Sequence, residues 1–136
     1  MDPRAILATL ARRYLGRPYR YGAKPLQTRS FDCSSLVQYL YHRLGVELPR
    51  VSIDQAAHGR TVRYPRQQLR TGDLLFFRGS WGRYNPSFPK GIGHVAMFVE
   101  PGWVVHAYSD AGKVVRQRAE RWLRRQDRTV VKRLLP

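Results

Sequence analysis

The periodicity of this chain changes once, near Thr71, and that change restricts the fold more than any other feature. Before it, apolar residues recur at helical spacing; after it they come in runs and alternations that suit strands. Asp2-Pro3 followed by Ile6, Leu7, Leu10, Ala11, Tyr14 and Leu15 predicts a helix with Asp2 as N-cap and Gly16 as its stop. Leu36, Val37, Leu40, Tyr41 and Leu44 predict a second helix, capped by Asp32 and ended by Gly45. Ser52-Ile53-Asp54-Gln55 fits a capping box that opens a short third helix through Ala57. Beyond Gly72-Asp73, the run Leu74-Leu75-Phe76-Phe77 is apolar at every position, as in a central strand buried on both faces. Residues 92–100 and 103–108 flank Pro101-Gly102 as a hairpin, and Val114-Val115 and 129–135 supply further strands. Residues 118–126 predict a basic helix with Arg118, Arg121 and Arg125 on one face. The segment 79–91, GSWGRYNPSFPKG, has too much Gly and Pro to predict a regular element. Its Trp81, Tyr84 and Phe88 favour an ordered rim.

The one cysteine, Cys33, falls in the first turn of the second helix, directly after its N-cap. A thiol there meets unpaired backbone N–H groups and the positive end of the helix dipole. Such sites can lower a cysteine pKa from about 8.5 into a range of roughly 3.5–7.5. Against this stands the commonest role of a free cysteine, a small buried hydrophobe. A nucleophile needs a base, and the base an orienting partner. Of the four histidines, His42 lies too far along the Cys33 helix, and His58 reads as a solvated loop residue. His94 and His106 lie on the two arms of the predicted hairpin. A plain two-residue turn pairs Glu100 with Trp103 and puts the histidines on opposite faces. A three-residue turn pairs Val99 with Trp103, sets His94 opposite Tyr108, and makes the histidines diagonal neighbours, so their meeting requires an odd-length loop or a bulge.

Charge bears on the partner. The formal charge of +16 comes mostly from arginine and attracts polyanions: nucleic acid, anionic membrane or phosphate-rich wall polymer. A single cysteine excludes an internal disulfide, and no Cys/His spacing resembles a zinc site. The N-terminal stretch is broken by Arg4, Arg12 and Arg13, so the sequence as given shows no signal peptide and no apolar run of membrane length.

Taken in order, RPYRYGA near Tyr21, FDCSSLVQYLY around Cys33, LPRVSIDQ from Leu48, GDLLFF from Gly72 and GHVAMFVEPGWVVHAYS over His94 and His106 resemble the NlpC-type cell-wall cysteine peptidases, a papain-like family. The resemblance implies an α+β fold, with N-terminal helices and the nucleophile helix packed on a central antiparallel sheet, in one catalytic domain over 1–136. It implies Cys33 as nucleophile, His94 as base and His106 as the residue that orients the base, with Tyr21, Asp32 and Ser34 lining the substrate and oxyanion side. Two positions depart from the family pattern: Ser35 replaces a usual glycine after Cys-Ser, and Ala23 replaces the second of two glycines. Both put substrate fit in question more than chemistry. The implied reaction is hydrolysis of an amide in peptidoglycan stem peptides, most often γ-D-glutamyl-diaminopimelate or γ-D-glutamyl-lysine, through a thioester and without metal or cofactor.

The implied partner is the stem peptide, with anionic wall polymer as a second attraction. Action at the wall would require an unseen leader, another export route, or delivery by a phage or secretion machine. Two rivals stand beside it. A nucleic-acid- or polyanion-binding module would use the charge with Trp81, Tyr84 and Trp122 for stacking, but leaves the Cys33, His94 and His106 arrangement idle. A papain-like acyltransferase on a non-wall substrate ranks lower, because in its permuted relatives His precedes Cys.

Overall fold

The computed structural model describes residues 2–136. Helix α1 (Pro3–Arg13) opens at Asp2, whose side chain accepts from the Arg4 N–H, and buries Leu7, Leu10 and Ala11. Helix α2 (Cys33–His42) follows, then α3 (Ser52–Gln55) and a two-residue strand, β1 (Arg60–Thr61), which sequence periodicity did not predict. The remaining strands are β2 (Leu74–Phe77), β3 (Arg83–Asn85), β4 (Phe88–Ile92), β5 (His94–Glu100), β6 (Trp103–Tyr108), β7 (Lys113–Arg118) and β8 (Arg128–Arg133). Helix α4 (Ala119–Leu123) lies between the last two.

Six strands form one sheet in the order β1-β8-β2-β5-β6-β7, with every pairing antiparallel. Strand alternation gives the sheet two apolar faces. Leu74, Phe76, Val95, Met97, Val99, Val105 and Ala107 point into a core shared with α1 and α2. Leu75, Phe77, Ala96, Phe98 and Val104 point the other way, against Ala119 and Trp122 of α4. The expected architecture, N-terminal helices and the Cys33 helix on a central antiparallel sheet, is the one found, with β2 fully buried as its run of apolar residues predicted.

Several local expectations are corrected. The predicted capping box at Ser52 is absent: Val51 is the N-cap of α3, with no side-chain cap bond. Gln55, which would have closed the box, is fully buried and donates instead to the carbonyls of Ser34 (2.9 Å) and Pro49 (2.8 Å), tying α3 beneath the start of α2. The basic helix is one turn, because Arg118 is its N-cap and Arg125 lies past its end. Segment 79–91 is more regular than its composition suggested. The strands β3 and β4 form a two-stranded hairpin, turned at Asn85, whose side-chain oxygen accepts the Phe88 N–H at 2.8 Å. Trp122, offered above as a stacking surface, is 2% exposed and belongs to the core.

The hairpin of β5 and β6 has a two-residue connection, Glu100 pairing with Trp103, and then a bulge. Val99 is the extra residue, so Phe98 pairs with Val104 and Met97 with Val105. Its carbonyl accepts the Thr71 hydroxyl at 2.6 Å. The bulge delivers the register in which the two histidines share a face.

Candidate active site

The start of α2 is fixed by Asp32. Its Oδ1 accepts the Ser35 N–H (2.9 Å), and Ser35 Oγ accepts the Asp32 N–H (3.0 Å), a reciprocal capping box. Serine here, at a position the resemblance gives to glycine, completes the cap. The box engages Ser35 and Asp32 and leaves the Cys33 N–H outside it. Asp32 Oδ2 accepts the Gly22 N–H (2.9 Å) and a guanidinium nitrogen of Arg50 (2.7 Å), and Arg50 also donates to Ser34 Oγ (2.9 Å) and the Ala23 carbonyl (2.9 Å). Asp32 and Ser34 therefore line the cleft as expected, but their polar atoms are already committed. Arg50 was missed by sequence reasoning, although the motif LPRVSIDQ contains it.

Cys33 and His94 line one cleft of about 610 Å³, together with Tyr21, Asp32, Ser34, Trp81, Arg83 and Arg125. Tyr21 stands 77% exposed on its lip and Trp81 85% exposed at the hairpin side. Helix α2 packs on one face of the sheet, whereas His94 and His106 share the face of Ala96 and Val104, and Cys33 and His94 both line the cleft where β5 begins. The backbone N–H groups of Val95 and Ser34 approach the sulfur.

His94 Nε2 lies 2.7 Å from His106 Nδ1, and His106 Nε2 lies 2.8 Å from Gln117 Oε1. The Trp122 indole N–H donates to the same oxygen at 3.0 Å. Aromatic rings enclose the imidazoles. Tyr108 stacks on His106 with centroids 4.9 Å apart, and Trp122 meets it edge-on at 4.7 Å. Phe77, opposite His94 in the sheet, closes the wall. Gln117 and Trp122 were not read as site residues. The only sequence signal for Gln117 was its two-residue phase with Val115, and β7 was predicted no further than Val115. The remaining histidines stand apart, His42 against Glu47 (2.6 Å) and His58 exposed.

Burial governs the protonation states. It pushes the Cys33 thiol up to about 11, and the neighbouring Asp32 carboxylate adds to this against the lowering from the Val95 and Ser34 N–H groups and Arg50. The helix-start argument predicted a lowered value; the loss of water, with the capping carboxylate added to it, outweighs what the helix start supplies. Burial also holds His94 down to about 3, helped by His106 and Arg125, and His106 down to about 4 despite its bond to Gln117. At neutral pH the resting pair is thiol and neutral imidazole. Among the described residues, no three His, Cys, Asp or Glu side chains cluster as metal ligands.

Comparison with known proteins agrees with this architecture. The peptidoglycan endopeptidase RipB of Mycobacterium tuberculosis is 35% identical over 111 residues, 74% of this chain and 41% of RipB. Its solved structure superposes with a TM-score of 0.78 at 29% identity, covering 98% of this chain and 65% of that one. The bifunctional muramidase/DL-endopeptidase CwlT of Bacillus subtilis is 35% identical over 102 residues, 75% of this chain and 28% of CwlT. RipD of Mycobacterium tuberculosis, a non-catalytic NlpC/p60 domain protein adapted to peptidoglycan binding, shares the fold at a TM-score of 0.76 and 22% identity, covering 99% of each chain. The chain spans less than half the length of RipB and of CwlT. The NlpC/P60 family profile matches residues 16–131, and the chain belongs to the NlpC/P60 family of papain-like cysteine peptidases.

Proposed function

We propose that residues 1–136 act as a catalytic domain that hydrolyses an amide bond in peptidoglycan stem peptides, with Cys33 as nucleophile, His94 as general base and acid, and His106 as its orienting partner. The observation that carries this reading is one cleft holding a helix-start thiol and an imidazole whose far nitrogen is 2.7 Å from a second imidazole. In the reaction, Cys33 Sγ attacks the scissile carbonyl carbon as its proton passes to His94 Nδ1. The Cys33 N–H, left outside the cap, and the Tyr21 hydroxyl on the lip are the candidate donors to the oxyanion. His94 Nδ1–H then protonates the leaving amine, and a thioester remains. His94 next takes a proton from water, the hydroxide adds to the thioester carbonyl, and collapse releases the acid and returns the proton to Cys33.

The bond assigned is γ-D-glutamyl-diaminopimelate or γ-D-glutamyl-lysine, in keeping with the endopeptidase relatives. The test is mass spectrometry of purified muropeptides of both chemotypes, digested with the native protein and with Cys33→Ala. New fragments ending at γ-D-glutamate, absent with Cys33→Ala, are the expected result. Tight peptidoglycan binding with no cleavage by either form would favour the second reading, a non-catalytic binding domain. That reading draws on the neutral, buried thiol and on the Arg50 side chain already seated on Asp32 and Ser34.

A further inference from the structure

Hydrogen-bond donors around the two histidines leave one arrangement of protons. An indole nitrogen can only donate, so the Gln117 atom 3.0 Å from Trp122 Nε1 is the amide oxygen and not the amide nitrogen. An amide oxygen only accepts, so His106 Nε2, 2.8 Å away, carries its hydrogen. In a neutral ring His106 Nδ1 is then a bare acceptor, and His94 Nε2, 2.7 Å from it, must donate. A neutral His94 is left with its lone pair on Nδ1, the nitrogen not engaged by His106.

We propose that Gln117 and Trp122 are positioning residues, which together hold His106 and His94 in the Nε2–H tautomer and so leave His94 Nδ1 free to take the Cys33 proton. The inference rests on the proposed role of the Cys33–His94 pair, and extends it two residues beyond His106. The indole N–H is the element that decides. Without it the Gln117 amide can turn over and present its NH₂ to His106. His106 would then carry hydrogen on Nδ1, His94 would accept at Nε2, and a hydrogen on His94 Nδ1 would block the base.

Two variants separate this from simple packing. Trp122→Phe keeps an aromatic ring against Phe77 and His106 and removes only the indole and its donor. Gln117→Leu removes the acceptor at similar volume. The readout is ¹⁵N–¹³C correlation of labelled histidines, which distinguishes the two tautomers at each ring. It is paired with the rate of Cys33 alkylation by iodoacetamide at pH 7, and neither measurement needs a wall substrate. We expect both rings of the native protein as Nε2–H, and mixed tautomers at His106 and His94 in Trp122→Phe. Alkylation should slow roughly 2- to 10-fold, the equivalent of one neutral hydrogen bond. On muropeptides, kcat should fall with KM held. A native His94 or His106 found as Nδ1–H would overturn the proposal without any variant. So would unchanged tautomers and alkylation in folded Trp122→Phe and Gln117→Leu. Absence of muropeptide cleavage by the native protein counts against the proposed function alone, since the tautomer result stands apart from it.

Discussion

At Cys33 two opposite influences meet, and burial decides between them. The helix start favours thiolate, but Asp32, the cap that creates the helix start, is itself a carboxylate, and the sulfur is removed from water. Iodoacetamide alkylation of Cys33 should therefore rise with pH toward about 11, with no plateau reaching into acid. His94→Ala should slow it at pH 7 by about tenfold or more, because the base for the thiol proton is gone. A plateau down to pH 5 would reveal an ion pair at rest. The histidines also link pH to stability. Both fold with depressed values, about 3 and 4 against an ordinary 6.5, so the unfolded chain binds their protons first. Their contribution is complete above about pH 6.5 and is lost as pH falls toward 4 and then 3, on the order of 2–3 kcal/mol for each ring by pH 4.5. Thermal unfolding between pH 7 and 4.5 should show the decline, flattened in a His94→Asn/His106→Asn variant. The positions of Cys33 and its cap were legible in sequence because capping is local. The state of the thiol was not, since burial depends on strands some sixty residues later.

At the scale of elements, the site depends on a bulge and on a hairpin. Residue parity showed that the histidines could meet only through an odd loop or a bulge, and Val99 supplies the bulge while the turn keeps two residues. Which of the two solutions is used was not legible, because the bulge is held by contacts distant in sequence, among them the Thr71 hydroxyl on the Val99 carbonyl across 28 residues. The β3–β4 hairpin escaped sequence reasoning for a similar reason: the Asn85 turn is local, but its anchoring is not. Asp127 accepts the Gly79 N–H (3.1 Å) while both its oxygens hold Arg125. At the return to β5, Gly93 is packed so closely that a Cβ would lie 2.6 Å from the Arg78 carbonyl oxygen and 2.8 Å from the Gly82 nitrogen. Both are backbone atoms, so Gly93→Ala must displace the hairpin or His94, the next residue. We expect a loss of about 1–3 kcal/mol in urea unfolding, together with a fall in kcat larger than that loss of folded protein explains. Gly102→Ala at the far turn meets no atom within 4 Å; it should show only the strain of a positive φ, with kcat kept.

Across the whole molecule the charge has no such address. Exposed arginines occur on α1, on the loop after β1, on the β3–β4 hairpin and around α4, so the field surrounds the cleft instead of marking one patch. Screening over roughly 10 Å at 0.1 M salt acts on exposed charges. Hydrolysis of whole cell walls should accordingly fall as salt is raised from 50 to 500 mM, while hydrolysis of a short soluble muropeptide changes much less. Equal losses on both would remove the role of charge in holding the enzyme to an anionic wall. The fold class was readable because helices precede strands and each carries its own period; the partnership between the two sheet faces was not, because it exists only once the sheet has formed. Cys33 rides on a helix seated in one core, and His94 is boxed by aromatic rings in the other. The sheet between them works as a ruler that sets where each stands along the cleft. A substitution deep in either core, far from the cleft, can thus detune the reaction without touching a reacting atom.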